Sequence, residues 1–96
     1  MRVMLKAQMT AEAGNTAIET GALPKLVQEL GEIVDIEAAY FGPQNGKRTA
    51  TFFFEVNDSS MIPALSEPFF RILDAEFELL PVMNREELMA GLAAGA

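Results

Sequence analysis

The segment Arg48-Thr49-Ala50-Thr51-Phe52-Phe53-Phe54-Glu55-Val56, entered through Gly42-Pro43-Gln44-Asn45-Gly46-Lys47, most constrains how this chain folds. A run of β-branched and aromatic residues after a Pro/Asn/Gly cluster reads as a strand leaving a hairpin loop. Alternation places Ala50, Phe52, Phe54 and Val56 on one face and Thr49, Thr51, Phe53 and Glu55 on the other. The first set is a core face. The second joins a large aromatic to hydroxyls and a carboxylate, a mixture suited to a lined cavity or a protein interface.

The other segments fall into place around this strand. Val3, Leu5, Ala7 and Met9 alternate with Arg2, Met4, Lys6 and Gln8, which predicts a first strand polar on one side. Thr10 caps a helix through Ala13, Ala17 and Ile18 that stops at Gly21, and a further turn or two starts at Pro24 and runs to Gly31. Val34, Ile36, Ala38 and Tyr40 alternate with Asp35, Glu37, Ala39 and Phe41 as a second strand, with Tyr40 on the core side. Asn57-Asp58-Ser59-Ser60 caps a helix carrying Ile62, Leu65, Phe69, Ile72 and Leu73, which Pro68 must kink or restart, with Ser66 as the new cap. Ala75, Phe77 and Leu79 form a fourth strand stopped by Pro81. Asn84-Arg85-Glu86-Glu87 opens a short tail helix as an Asn variant of the capping box.

This order, β-α-β-β-α-β plus a tail helix, predicts one α+β domain over residues 1–96: a ferredoxin-like antiparallel sheet with its helices on one face. The helices pack over Val3, Leu5, Ile36, Phe52, Phe54 and Phe77. The opposite face carries Met4, Lys6, Gln8, Asp35, Glu37, Phe41, Thr51, Phe53, Glu55, Glu76, Glu78 and Leu80. An apolar patch of that kind predicts a homodimer.

Composition narrows function mainly by exclusion. A net charge of −7 with scattered basic residues argues against nucleic acid, whose phosphates need clustered Lys and Arg. Without cysteine there is no disulfide, thiol nucleophile or thiolate metal site. Without histidine the commonest general base and transition-metal ligand are missing, and no metal or cofactor is expected. Lys6, Gln8 and Thr10 interrupt the apolar N-terminus, so it does not read as a signal peptide. No stretch reaches the ~18 apolar residues of a membrane span, which points to a soluble cytoplasmic protein.

Several spaced motifs run together: Gly14-Asn15-x-Ala17-Ile18-x-x-Gly21-x-Leu23-Pro24, Glu37-Ala38-Ala39-Tyr40-Phe41, Gly46-x-Arg48-Thr49, Ile62-Pro63-x-x-x-Glu67-Pro68-Phe69-Phe70 and Pro81-Val82-Met83-Asn84-x-Glu86-Glu87-Leu88. In these the chain resembles an uncharacterised small bacterial family of the dimeric α/β-barrel group, which takes in GYD-domain proteins, muconolactone-isomerase-like enzymes and antibiotic-biosynthesis-type monooxygenases. The resemblance implies a homodimer with two facing sheets and carries no specific activity. The chain also departs from active members of the group. It lacks the histidine of the YCII-like His-Asp pair and the Trp and His of the haem-degrading enzymes.

Carboxylate chemistry remains. Lys6, Glu37 and Glu55 are the candidate acid and base groups, set against the plainer reading that alternating strand acids are a solvated sheet face. Enclosed among like charges, such an acid would titrate high. Arg48, Phe53, Glu67 and Asn15 are the candidate ligand-binding residues: Arg48 can clamp a carboxylate, and Glu67 at a helix break can reach backbone donors or Arg48. The expectation is a dimeric binding or accessory protein with an inter-sheet cavity for a small organic ligand. The alternative is a cofactor-free isomerase or monooxygenase acting on a small aromatic or polyketide-like substrate.

Overall fold

A computed structural model describes residues 1–95 of the chain. Along the sequence run β1 (Arg2–Met9), α1 (Ala11–Glu19), α2 (Ala22–Ile33), β2 (Ile36–Gln44) and β3 (Lys47–Glu55). A 3-10 turn at Ser59–Met61 leads to α3 (Ile62–Arg71), β4 (Glu76–Pro81) and α4 (Arg85–Gly95). The fold is α+β, with a four-stranded antiparallel sheet in the order β2-β3-β1-β4, an order compatible with a ferredoxin-like arrangement.

Local chemistry explains the elements. The Thr10 hydroxyl accepts from the Ala13 N–H at 3.1 Å and caps α1. Gly21, at φ 75°, turns the chain in a left-handed conformation that glycine adopts without strain, and α2 begins beside it. Pro24 falls in the first turn of α2, where no intrahelical donor is needed, so α2 extends over 12 residues rather than the turn or two expected. Pro68 lies inside a continuous α3. Ser66 does not cap a restart there; its hydroxyl donates back to the Ile62 carbonyl at 2.8 Å. The β2–β3 loop is also tighter than the Gly42–Lys47 cluster suggests. Both strands run up to Asn45-Gly46, whose φ values of 53° and 75° make the two-residue turn that matches strand twist.

Val3, Leu5, Ala7 and Met9 of β1 and Ala50, Phe52 and Phe54 of β3 are buried beneath Ala17, Leu26, Leu30, Leu65 and Phe69 of the helices. Phe69 bridges the layers, with its ring 6.3 Å from Phe52 and 5.6 Å from Phe77. Each such large side chain withdrawn from water stabilises the fold by roughly 1.5–3 kcal/mol.

The second strand does not alternate as expected. Ile36 pairs with Phe54, but Ala38 pairs with Phe53, so Glu37 is an extra residue in a β-bulge. From Ala38 onward every side chain changes face. Tyr40, opposite Thr51, lies on the open face and is 67% exposed; Phe41, opposite Ala50, lies on the helix side. The expected positions of these two aromatics are therefore exchanged.

The sheet face away from the helices carries a continuous apolar row, Ala38–Phe53–Met4–Leu80, and above it a polar row, Tyr40–Thr51–Lys6–Glu78. α4 follows β4 with no buried residue, and the molecule measures 50 × 28 × 17 Å.

Candidate functional site

A cavity opens where the β2–β3 hairpin meets the start of the helical layer. It holds about 500 Å³, and Met9, Leu23, Phe41, Pro43, Arg48 and Ala50 are among its walls. The bulge at Glu37 and the Asn45-Gly46 turn together bring Phe41 to this side, where its ring meets that of Phe52 edge-on at 5.6 Å. Apart from Arg48 and Thr49, the walls come from apolar residues and glycines. Arg48 is the one cationic side chain among them.

Two features hold Arg48 in place. Its Nη1 donates to the Asn15 side-chain oxygen at 2.9 Å. Its stem and guanidinium lie across Gly14 so closely that a Cβ there would stand 2.9 Å from Nη1 and 3.1 Å from Cδ. The Gly14-Asn15 and Gly46-x-Arg48 motifs thus meet in space. Among the described residues no carboxylate lies within ion-pair distance of Arg48. Its sequence neighbour Lys47 pairs with Glu76 at 3.4 Å instead. The site therefore offers an apolar cleft with one positioned, uncompensated positive charge, the chemistry that receives an organic anion with a hydrophobic body.

The other candidate residues lie elsewhere. Phe53 is on the opposite sheet face, half-buried beside Met4. Glu67 pairs with Arg71 along α3 at 3.5 Å and is not joined to Arg48. Glu37 accepts from Arg2 Nε at 2.8 Å, while Glu55 sits 2.9 Å from the N-terminal ammonium. Lys6 lies further along β1, between Thr51 and Glu78, and lines a smaller cavity of about 240 Å³ with Gln8, Glu76 and Glu78. The three candidate acid and base groups share the open face but form no single cluster.

Their electrostatics follow from these partners. The hydrogen bond from the N-terminal ammonium, with further attraction to that charge and to Arg2, holds the Glu55 carboxyl below its ordinary range. This is the reverse of the direction that enclosure among acids gives. Hydrogen bonding to Glu37, with attraction to Glu55 and Glu86, raises Arg2 above its ordinary value. The Asp58 carboxylate, accepting from the Ser60 N–H at 2.9 Å at the 3-10 turn, is likewise held low.

Met9, Leu23, Phe41 and Pro43 are the lining residues that sequence reasoning missed. Phe41 was hidden by the bulge, Met9 read only as core, and Leu23 entered only as part of the Gly21-x-Leu23-Pro24 motif. Among the described residues no cluster of three or more acidic, His or Cys side chains is placed to hold a metal ion, and no helix is long and apolar enough to cross a membrane. No protein-family model matches the chain, and no curated protein matches it.

Proposed function

We propose that this chain is a homodimeric binding or accessory protein that holds a small organic carboxylate with an apolar or aromatic body. The anionic group meets Arg48, and the body fills the cleft formed by Met9, Leu23, Phe41 and Pro43. The observation that carries this reading is Arg48 itself: positioned by Asn15 and Gly14, and without an acidic partner among the described residues. Binding is favoured over catalysis because Lys6, Glu37 and Glu55 lie across the sheet from this cleft. The dimeric half of the reading rests on the open apolar row Ala38–Phe53–Met4–Leu80, and it agrees with the resemblance to the dimeric α/β-barrel group.

The test is an NMR titration with cinnamate and, separately, its neutral amide. Amides around Arg48, Phe41 and Leu23 are expected to shift with the acid and much less with the amide. Arg48→Gln should weaken the acid at least tenfold, since a charge-assisted hydrogen bond contributes about 1.5–3 kcal/mol. Equal binding of acid and amide, or shifts confined to the open sheet face, would remove this site from consideration.

A further inference from the structure

We infer that the Arg48 cleft selects an aliphatic monocarboxylate of medium length whose body carries no further polar group. The inference rests on the reading of this cleft as an organic-acid site and narrows what it accepts. The cleft supplies one positive charge and nothing to answer a second negative one. Arg48 is its only cationic wall. Lys47, the preceding residue of β3, projects to the opposite sheet face, where it pairs with Glu76 at 3.4 Å. Lys25, in the first turn of α2, lies 4.0 Å from Glu29. Around the one free cation the chain carries a net charge of −7, and that field reaches about 8 Å at physiological salt. A second carboxylate, or a doubly charged phosphate ester, would enter against repulsion and find no partner.

The walls also offer the ligand body no side-chain hydrogen bond. Thr49 is the one other polar residue among them, and it is 5% exposed. Its hydroxyl accepts from Gln8 Nε2 and donates its only proton to the Lys47 carbonyl, both at 3.1 Å. A hydroxyl on the ligand body would give up water at these walls and gain no side-chain partner in return. That exchange is unfavourable.

Shape and size favour a flexible chain over a plate. Met9, Leu23, Pro43 and Ala50 are non-aromatic walls, and Phe41 is the single ring, already edge-on to Phe52 at 5.6 Å. An irregular apolar surface of this kind is matched best by a body that bends. At the ~30 Å³ that a water-sized group occupies in a liquid, a cleft of about 500 Å³ holds roughly 16 heavy atoms. Cinnamate has eleven and leaves room. Acids of eight to twelve carbons fill progressively more of it.

The test measures dissociation constants of the full chain for hexanoate, octanoate and decanoate by calorimetry, below micelle-forming concentrations. Amide shifts locate each acid. Every added methylene should tighten binding about three- to fourfold, the equivalent of about 0.8 kcal/mol per buried CH₂. Octanedioate, and octanoate hydroxylated at its far end, should each bind at least tenfold more weakly than octanoate. A gain below twofold per methylene overturns the selectivity, as does either polar analogue binding within tenfold of octanoate. Octanoate shifts confined to the open sheet face overturn it too. In each of those cases the acid site itself stands if cinnamate still moves the amides around Arg48, Phe41 and Leu23. Failure of every acid, cinnamate included, to move them ends the reading and the inference together.

Discussion

Arg48 reaches across from β3 to the first helix, where its guanidinium donates to the Asn15 side-chain oxygen at 2.9 Å. The hydrogen bond is to a neutral group, so it orients the cation without cancelling its charge. Asn15→Ala is expected to leave the fold intact and weaken cinnamate several-fold. Arg48→Gln should weaken it more. If Asn15→Ala bound cinnamate as tightly as the native chain, Asn15 would have no positioning role.

Gly14 offers a test that separates binding from stability. Alanine is the better residue inside a helix by roughly 0.5–1 kcal/mol, and here the new methyl would meet the movable end of Arg48 rather than backbone. Gly14→Ala should hold or raise the thermal midpoint while reducing carboxylate affinity. Loss of both together would mean that the helix, and not Arg48, had been disturbed.

The two neighbouring aromatics of β3 should respond differently to truncation. Phe52 is fully buried against Phe69 and Phe41, and Phe52→Ala is expected to cost about 3–5 kcal/mol in urea unfolding. Phe53 faces the open side, so Phe53→Ala should cost the folded chain less and act mainly on self-association. Equal unfolding penalties would contradict the face assignment.

The tail cap is a reciprocal pair, Glu87 N–H to Asn84 Oδ1 and Asn84 N–H to Glu87 Oε1. Asn84→Ala should destabilise α4 by roughly 0.5–2 kcal/mol. Amide exchange in residues 86 to 92 reads this directly, and unchanged protection there would show that the cap is inert.

Acid should loosen the fold through Glu55 and Asp58. Both carboxyls are held below their ordinary range in the folded chain, Glu55 by the N-terminal ammonium and Asp58 by Ser60. The unfolded chain therefore takes up protons first, near pH 4. Their contribution is present above that pH and declines as pH falls through the lower folded values. Urea midpoints should drop below pH 4 in the native chain and drop less in Glu55→Gln. A midpoint that rose on acidification would reverse the sign of this argument.

Much of the architecture was legible because it rests on local chemistry. Strict alternation in Val3–Met9 and Ala50–Val56 reports one buried face, Thr10 and Asn84 are caps with their partners in reach, and proline and glycine punctuate the segments. What failed was β2, where a bulge breaks the period without any residue in Glu37-Ala38-Ala39 announcing it. That failure carried into the site. With Phe41 assigned to the wrong face, the cleft beside Arg48 had no wall, and attention fell on the other side of the sheet. Gly14, Asn15 and Arg48 stood in the sequence, but their convergence depends on how α1 crosses the end of β3, which no local pattern encodes.

The extra residue at Glu37 works as a phase step in the strand. Side chains before it answer to the core beneath Val34 and Ile36, and side chains after it take their parity from the Asn45-Gly46 turn. The identity of the ring that guards the cleft is thus decided at the hairpin tip. Lengthening that tip by one residue would slip β2 and carry the Tyr40 phenol inward and the Phe41 ring out. A greasy wall would become a hydrogen-bonding one, with no substitution at either aromatic, so insertions at residues 45 and 46 are a compact route by which such a scaffold changes what it holds.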